Sequence, residues 1–405
     1  MAQMKYHFKS TQRNASIISI ACLLFFVVYS LYFFIGYQSD LVALSRFLES
    51  SEPSTPESLL SHAWWGGLIS AILCLVPAIL LLRCLHFPLR FKALALLPSF
   101  VVLGLITGMS PSTVNASEIS IPLVSTIALT IVSLIAIFLS QLFHEDKGEH
   151  GPLTNYLSPN IFILCIGAFF SISITNTDRE LHLQLEAARQ AFKGNYEAIG
   201  EIFVGETTTN TNITALQILA LSKRGEMPER LFEIDHLAGS FSLMPDSTPS
   251  SLLYQSPHVL YSHLRAVPIG FKGDVTTFLE KALERKKSVM RIESGVYRYC
   301  RHQKPLVDYY LCALLLDRNL TRFVAELPQY YNLSLPLPRL YAEAIAIYRT
   351  SLPSEAQGLY TDELTDSLFN QYQTLRSSYP DNAMIQRKEA LRAYKGSYWN
   401  YYFFR

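Results

Sequence analysis

The long apolar runs of this 405-residue chain carry no Asp, Glu, Lys, Arg or His in their interiors. Proton relays, ion pathways and polar substrate sites at bilayer depth depend on such groups, because only an ionisable or strongly polar side chain replaces the lost water. The absence argues against a stand-alone transporter. Catalytic signatures are missing as well. There is no G-x-S-x-G nucleophile elbow, no G-x-x-x-x-G-K-[ST] phosphate loop, no dinucleotide-binding glycine pattern and no H-E-x-x-H pair. No residue is therefore assigned to catalysis or to a cofactor.

Neither charge is in excess. Lys plus Arg total 34 against 33 Asp plus Glu, and from residue 175 onward the counts are 26 and 25. A nucleic-acid binder needs a basic surplus to replace phosphate counterions, so nucleic acid is set aside as a partner. Cysteine is scarce outside the apolar runs: of six, Cys22, Cys74, Cys84 and Cys165 lie in or beside them, leaving Cys300 and Cys312. A turn at Gln303 to Pro305 between two antiparallel helices would allow those two to pair, and two free buried thiols are the equal alternative.

What is abundant is apolar residues, 50% of the chain, and they are unevenly spread. Up to about Thr175 the sequence consists mostly of long apolar runs, and beyond it polar and apolar residues alternate with helical periodicity. Two domains are expected, a membrane domain over 1–175 and a helical domain over 176–405. A hydrocarbon core of roughly 30 Å takes about 20 helical residues. Five stretches qualify: Ala15 to Tyr37, Trp64 to Leu82, Phe91 to Met109, Ile119 to Phe143 and Leu157 to Ile174. Pro159 falls at the start of the fifth, where a helix tolerates it. The first run is too long for a signal-peptide core and no small-x-small site closes it, so it reads as an anchor. Trp64 and Trp65 read as interfacial anchors.

Basic residues beside the runs set the orientation. Lys5, Lys9 and Arg13 precede the first run, and Arg83, Arg90 and Lys92 lie between the second and third. Both segments are expected in the cytoplasm. The loop with Arg46 against Asp40, Glu49, Glu52 and Glu57, and the base-free loop Ser110 to Glu118, are expected outside. Five crossings then put the second domain in the periplasm and the chain in the inner membrane. The fourth loop gathers His144, Glu145, Asp146, Glu149 and His150. That is a ligand set by composition, but it lacks zinc-site spacing and reads as a solvated turn.

The second domain is a series of amphipathic helices divided by short breakers. Leu181, Leu185, Ala188 and Phe192 make one apolar face, Gly194 ends that helix, and Asn195 caps the next. A second hairpin turns at Gly225. The two glycines are 31 residues apart, near the roughly 34-residue period of tetratricopeptide repeats. YYLCALLLDRNLTRFVAEL gives a third hairpin, with Arg318 and Asn319 in place of glycine, and LPRLYAEAIAIYR opens a fourth. Helices over TDELTDSLFNQYQTLRS, capped by Thr361 or Asp362, and AMIQRKEALRAY follow. The fold class is all-α: a polytopic helical membrane domain followed by a tetratricopeptide-like array. Stacked hairpins leave a groove that suits a peptide or protein partner. The lone histidines His182, His236, His258, His263 and His302 read as structural or solvated.

LLFFVVYSLYFF in the first run, ALSKRGEMPERLFE, LPRLYAEAIAIY and GSYWNYYFF together resemble a family of uncharacterised multi-pass membrane proteins of Bacteroidota, which ends in a short aromatic tail after a helical-repeat domain. The resemblance touches both halves of the chain, and the tail is its most specific part. It implies an inner-membrane protein of a Gram-negative cell with periplasmic repeats, and it supplies no activity to carry over. The chain is shorter, with fewer spans, than that pattern suggests.

The expected function is a non-enzymatic scaffold, anchored in the lipid bilayer, for a protein or peptide partner in the cell envelope. The candidate partner contacts are Tyr309, Tyr310, Arg339 and Tyr341, since aromatic and Arg side chains anchor interfaces; core packing is the competing reading of each. The alternative is a membrane enzyme or transport subunit working through Glu49, Glu52 and Glu57. The aromatic tail, Tyr398, Trp399, Tyr401, Tyr402, Phe403 and Phe404, needs a cover. It is expected to fold back as a plug, or else to lie at the membrane interface.

Overall fold

The computed structural model describes residues 2–41, 56–85, 87–108, 123–142, 153–203, 210–235, 237–244, 258–266, 274–289, 304–351, 359–380 and 382–404. Among these every regular element is a helix and no strand occurs. Two compact units result, Met1–Leu185 and Glu186–Arg405. The division lies ten residues beyond the Thr175 boundary read from composition.

In the first unit, α1 (Ala2–Leu31) runs on into a π-helical turn, Tyr32–Tyr37, and α2 covers Pro56–Cys84. A 3-10 segment, Leu89–Leu96, leads into α3 (Leu97–Ile106), followed by α4 (Leu123–Leu142) and α5 (Leu153–Ile174). Among the described residues three segments, Ala15–Tyr37, Leu89–Ile106 and Leu153–Ile174, are long and apolar enough to cross a membrane. The other two expected runs are helical over their described residues, but their apolar stretches there, Ala71–Cys84 and Ile127–Ser140, are shorter. Leu24, Phe138 and Phe162 are more than 60% exposed, a surface that needs an apolar neighbour other than water.

Ile18, Cys22, Phe26 and Phe33 of the first apolar run pack with Phe100, Leu103 and Leu164 of the third and fifth runs. Two sequence readings are corrected here. Pro159 lies inside α5 rather than at its start, because the helix begins at Leu153. Arg90 and Lys92, read as lying between the second and third runs, fall inside the third segment, which begins at Leu89, and Lys92 Nζ donates to Ala15 O and Ser19 Oγ, both at 3.0 Å. A long side chain near a helix end can carry its charge to acceptors in this way. The backbone beside the 3-10 segment is completed by Asn160, fully buried. Its Oδ1 accepts Ala93 N–H at 2.8 Å and its Nδ2 donates to Leu89 O at 2.9 Å. Thr175 Oγ1 donates to Thr107 Oγ1 at 2.8 Å, tying the ends of α3 and α5 together.

The second helical series starts with α6 (Arg179–Phe192) and α7 (Tyr196–Ile202), joined through Gly194 at φ +75°, with Asn195 Oδ1 accepting Ala198 N–H. α8 (Thr211–Arg224) ends on Gly225, again at φ +75°, and α9 (Met227–Arg230) follows. This second arm is shorter than expected. It tightens into a 3-10 turn, Leu231–Glu233, and turns extended at Ile234, which delivers Phe232 to the seat described below. α10 (His258–Leu264) and α11 (Val275–Val289) come next. α12 (Lys304–Leu316) and α13 (Leu320–Glu326) form the third hairpin. At its turn Arg318 adopts φ +56°, the conformation the two glycines take, and Asn319 caps α13 as Asn195 caps α7. The three turns thus share one backbone geometry despite different residues: after each left-handed residue the next N–H bonds the carbonyl five residues back, Asn195 to Gln190, Glu226 to Leu221 and Asn319 to Leu314, while a side-chain cap follows at Asn195 and Asn319 but not at Glu226.

α14 (Arg339–Ser351), α15 (Glu363–Ser377), α16 (Ala383–Ala393) and α17 (Tyr398–Phe404) complete the chain. Asp362 is the cap of α15, accepting Thr365 N–H at 3.0 Å. Every residue of α14 from Leu340 to Tyr348 is buried, so this helix is the spine of the unit.

Candidate functional site: the seat of the C-terminal helix

α14 carries one acid, Glu343, within an otherwise apolar and aromatic run from Leu340 to Tyr348. A buried carboxylate demands hydrogen bonds. Its Oε2 accepts Tyr398 N–H at 2.7 Å, at the N-terminus of α17, and its carbonyl oxygen accepts Trp399 Nε1–H at 3.1 Å. Arg339, one turn earlier, places Nε 3.7 Å from Glu343 Oε1, donates from Nη2 to Gly396 O at 3.0 Å, and lies 3.9 Å from Glu233. Gly396 has φ +77°, and a Cβ there would stand 2.7 Å from Glu233 Cγ, so the chain can enter α17 this way only through glycine.

The rings fill the seat. Trp399 packs on Phe369 and Tyr372 of α15, centroids 5.2 and 5.5 Å away, and Tyr398 on Phe232 at 5.1 Å. Tyr401 meets Phe232 at 4.7 Å and donates its hydroxyl to Leu316 O at 2.7 Å. Asn400 Nδ2 donates to Ala390 O and Tyr394 O, and the Arg376 guanidinium lies 3.7 Å from the Phe403 ring centre. Tyr398 and Trp399 are buried, while Tyr401, Tyr402, Phe403 and Phe404 are half-buried.

Burial pushes the Glu343 carboxyl up to about 7, helped by Glu229 and opposed by the Tyr398 N–H and Arg339. A second buried acid, Asp308 on α12, accepts from the Tyr331 and Tyr341 hydroxyls. Burial raises it to about 6, while those two bonds and Lys304 pull it down. Cys312 is a free, buried thiol 3.9 Å from Tyr341 Oη, and its would-be partner Cys300 lies outside the described residues.

Of the candidate partner contacts, Tyr309, Tyr310 and Tyr341 are at most 1% exposed. This corrects the expectation that they face an open groove. Their rings pack within α12, α13 and α14, as Phe323 against Tyr341 at 5.4 Å shows, because α12 from Leu306 to Leu316 and α14 from Leu340 to Tyr348 are buried on every face. Arg339 is 42% exposed at its side chain but is engaged with the C-terminal segment. Glu343 and Asp308 were missed by the sequence reading, although each stands out as the lone acid of an apolar helix. Glu49, Glu52, His144, Glu145, Asp146, Glu149, His150 and His302 lie outside the described residues, as do the side chains of Glu57, Trp64 and Trp65.

Among the described residues no three His, Cys, Asp or Glu side chains converge as a metal site would require. Ser222 Oγ and His263 Nε2 do lie 2.9 Å apart. Burial and the nearby Lys223 depress the imidazole to about 4, which makes it a weak base for activating a hydroxyl.

A family model described as a family of unknown function (DUF6057) matches residues 6–264 and 274–405. The chain belongs to this family. None of the curated proteins and none of the solved structures compared with it matches. Both the apolar runs and the aromatic seat of this DUF6057 chain fall within the matched residues.

Proposed function

We propose that the chain is a non-enzymatic, membrane-anchored scaffold whose helical domain holds a protein partner in the cell envelope. In this reading five spans anchor it in an inner membrane with the N-terminus in the cytoplasm, and tetratricopeptide-like hairpins lie on the opposite side. Basic residues beside the first three apolar runs support the orientation, and the shared turn geometry at Gly194, Gly225 and Arg318 supports the repeat reading.

One observation carries the partner-binding function. The α15–α16 hairpin leaves Leu364 70% and Met384 82% exposed, with Leu368, Ile385 and Leu391 also open. A polar trough lined by Ser367, Asn370, Gln371 and Thr374 runs along α15. An apolar stripe beside polar groups is the composition of an interface core and its rim. The contacts first assigned to Tyr309, Tyr310 and Tyr341 move to this hairpin.

Crosslinking and mass spectrometry in native membranes, with a photoreactive residue at 364 or 384, tests the proposal. A single protein recovered in stoichiometric yield, and lost on Leu364→Glu, is expected. Crosslinks only to lipid, or to no reproducible protein, would sink it.

A further inference from the structure

Glu343 sits where α17 lands. The Tyr398 N–H reaches its Oε2, the Trp399 indole reaches its carbonyl oxygen, and the two aromatic residues are 0% and 2% exposed. The charged and titratable groups around this carboxylate are Arg339 on its own helix, Glu229 on α9, Glu233 in the turn after α9, and Tyr398 on α17. Arg339 is the cation at 3.7 Å, and it is shared with Glu233 and Gly396 O. The seat also holds the Tyr372 and Tyr398 hydroxyls and Asn400 Oδ1, buried without hydrogen-bond partners among the described residues. Each such atom weakens docking below what the aromatic area alone would give. The contact is therefore extensive in area but electrostatically compromised.

We propose that α17 is a proton-linked latch, which docks most tightly over a protonated Glu343 and loosens when that proton is lost. A protonated acid still offers Oε2 to the Tyr398 N–H and no longer places a charge under the aromatic cover. In the docked state burial holds the carboxyl at about 7, against an ordinary value of 4.5. Undocking returns the group to water, so the undocked state gives up its proton first. Rising pH then favours undocking, and the docking equilibrium weakens roughly tenfold between about pH 6 and about pH 8. Release would uncover Phe232, Phe369 and Tyr372 together with the aromatic helix itself.

Hydrogen exchange of the full chain in detergent, read by mass spectrometry at about pH 6 and about pH 8 and corrected for the intrinsic chemical rate, measures this equilibrium. Protection of the 398–404 amides should fall about tenfold in the wild type and stay level in Glu343→Gln. A pH-independent wild type, or a slope that survives in Glu343→Gln, overturns the latch. An equal fall at 304–316 would also overturn it, since that would report global opening. Should Glu343→Gln fail to fold, Glu229→Gln decides. Removing this like charge, which helps hold the Glu343 carboxyl up, must move the midpoint to lower pH, and an unmoved midpoint rejects Glu343 as the titrating group.

Discussion

The Trp399 indole N–H donates to the Glu343 backbone oxygen across 3.1 Å, joining the last helix of the chain to a helix 56 residues earlier. Trp399 is 2% exposed and lies between Phe369 and Tyr372, so its loss opens a cavity as well as an orphaned carbonyl. Trp399→Ala should destabilise the helical domain by about 3–5 kcal/mol, and Trp399→Phe, which keeps most of the ring, by about 1–2 kcal/mol. Deleting residues 397–405 should cost at least as much as Trp399→Ala. Urea unfolding followed by circular dichroism gives all three values. Equal midpoints for the truncated and full chains would show that the tail serves another surface.

Asp308 supplies a stability signature with a defined sign. Its carboxyl is raised from an ordinary 3.8 to about 6 by burial, so between those values the folded state binds the proton that the unfolded state has released. Stability from this group is fully present below about pH 3.8 and is lost as pH rises through about 6. The loss is on the order of 3 kcal/mol. The difference in unfolding free energy between wild type and Asp308→Asn should accordingly slope across that window and flatten above it. A flat difference curve would mean that Tyr331 and Tyr341 hold the carboxylate charged.

The helices and their turns were legible because they rest on local chemistry. Gly194, Asn195, Gly225 and Asp362 act on their own neighbours, and the structure finds them capping or ending helices. Even Arg318 was placed at its turn, since Asn319 marks the following cap. The site was much less legible. Tyr309 and Tyr341 look like interface anchors by residue type, and only the packing of α12 against its neighbours makes them core. Glu343 and Tyr398 are 55 residues apart, and no periodicity links positions so distant. What the sequence did offer was one acid inside LYAEAIAIY and another inside LVDYYLCALLL, each requiring a partner once buried.

Asn160 should behave as a structural clamp in the first unit. Asn160→Leu removes the side-chain bonds to the Ala93 N–H and to the Leu89 and Tyr156 carbonyls. A loss of about 2–4 kcal/mol is expected for these bonds together. Thermal stability of the full chain in detergent, followed by size-exclusion fluorescence, would register this as a lower transition temperature. An unchanged transition would show that the 3-10 segment finds other partners.

Gly167 and Gly200 make a matched test of close approach. A Cβ at Gly167 would stand 2.4 Å from Phe100 Cδ2, and that ring is held by Phe26 and Tyr29 at centroid distances of 4.9 and 5.5 Å. The ring is fully buried against these neighbours, so α3 and α5 must separate or Phe100 must leave its rotamer. Small residues at helix–helix contacts are what allow such approach in an apolar medium. Gly167→Ala should cost about 1–3 kcal/mol, with partial recovery in Gly167→Ala/Phe100→Leu. Gly200, inside α7, meets nothing within 4 Å of a Cβ. Gly200→Ala should therefore stabilise by about 0.5–1 kcal/mol through backbone entropy alone. Both are read from the same detergent melting curve. Opposite signs are required, and a neutral Gly167→Ala would place α3 and α5 farther apart than the Phe100 contact puts them.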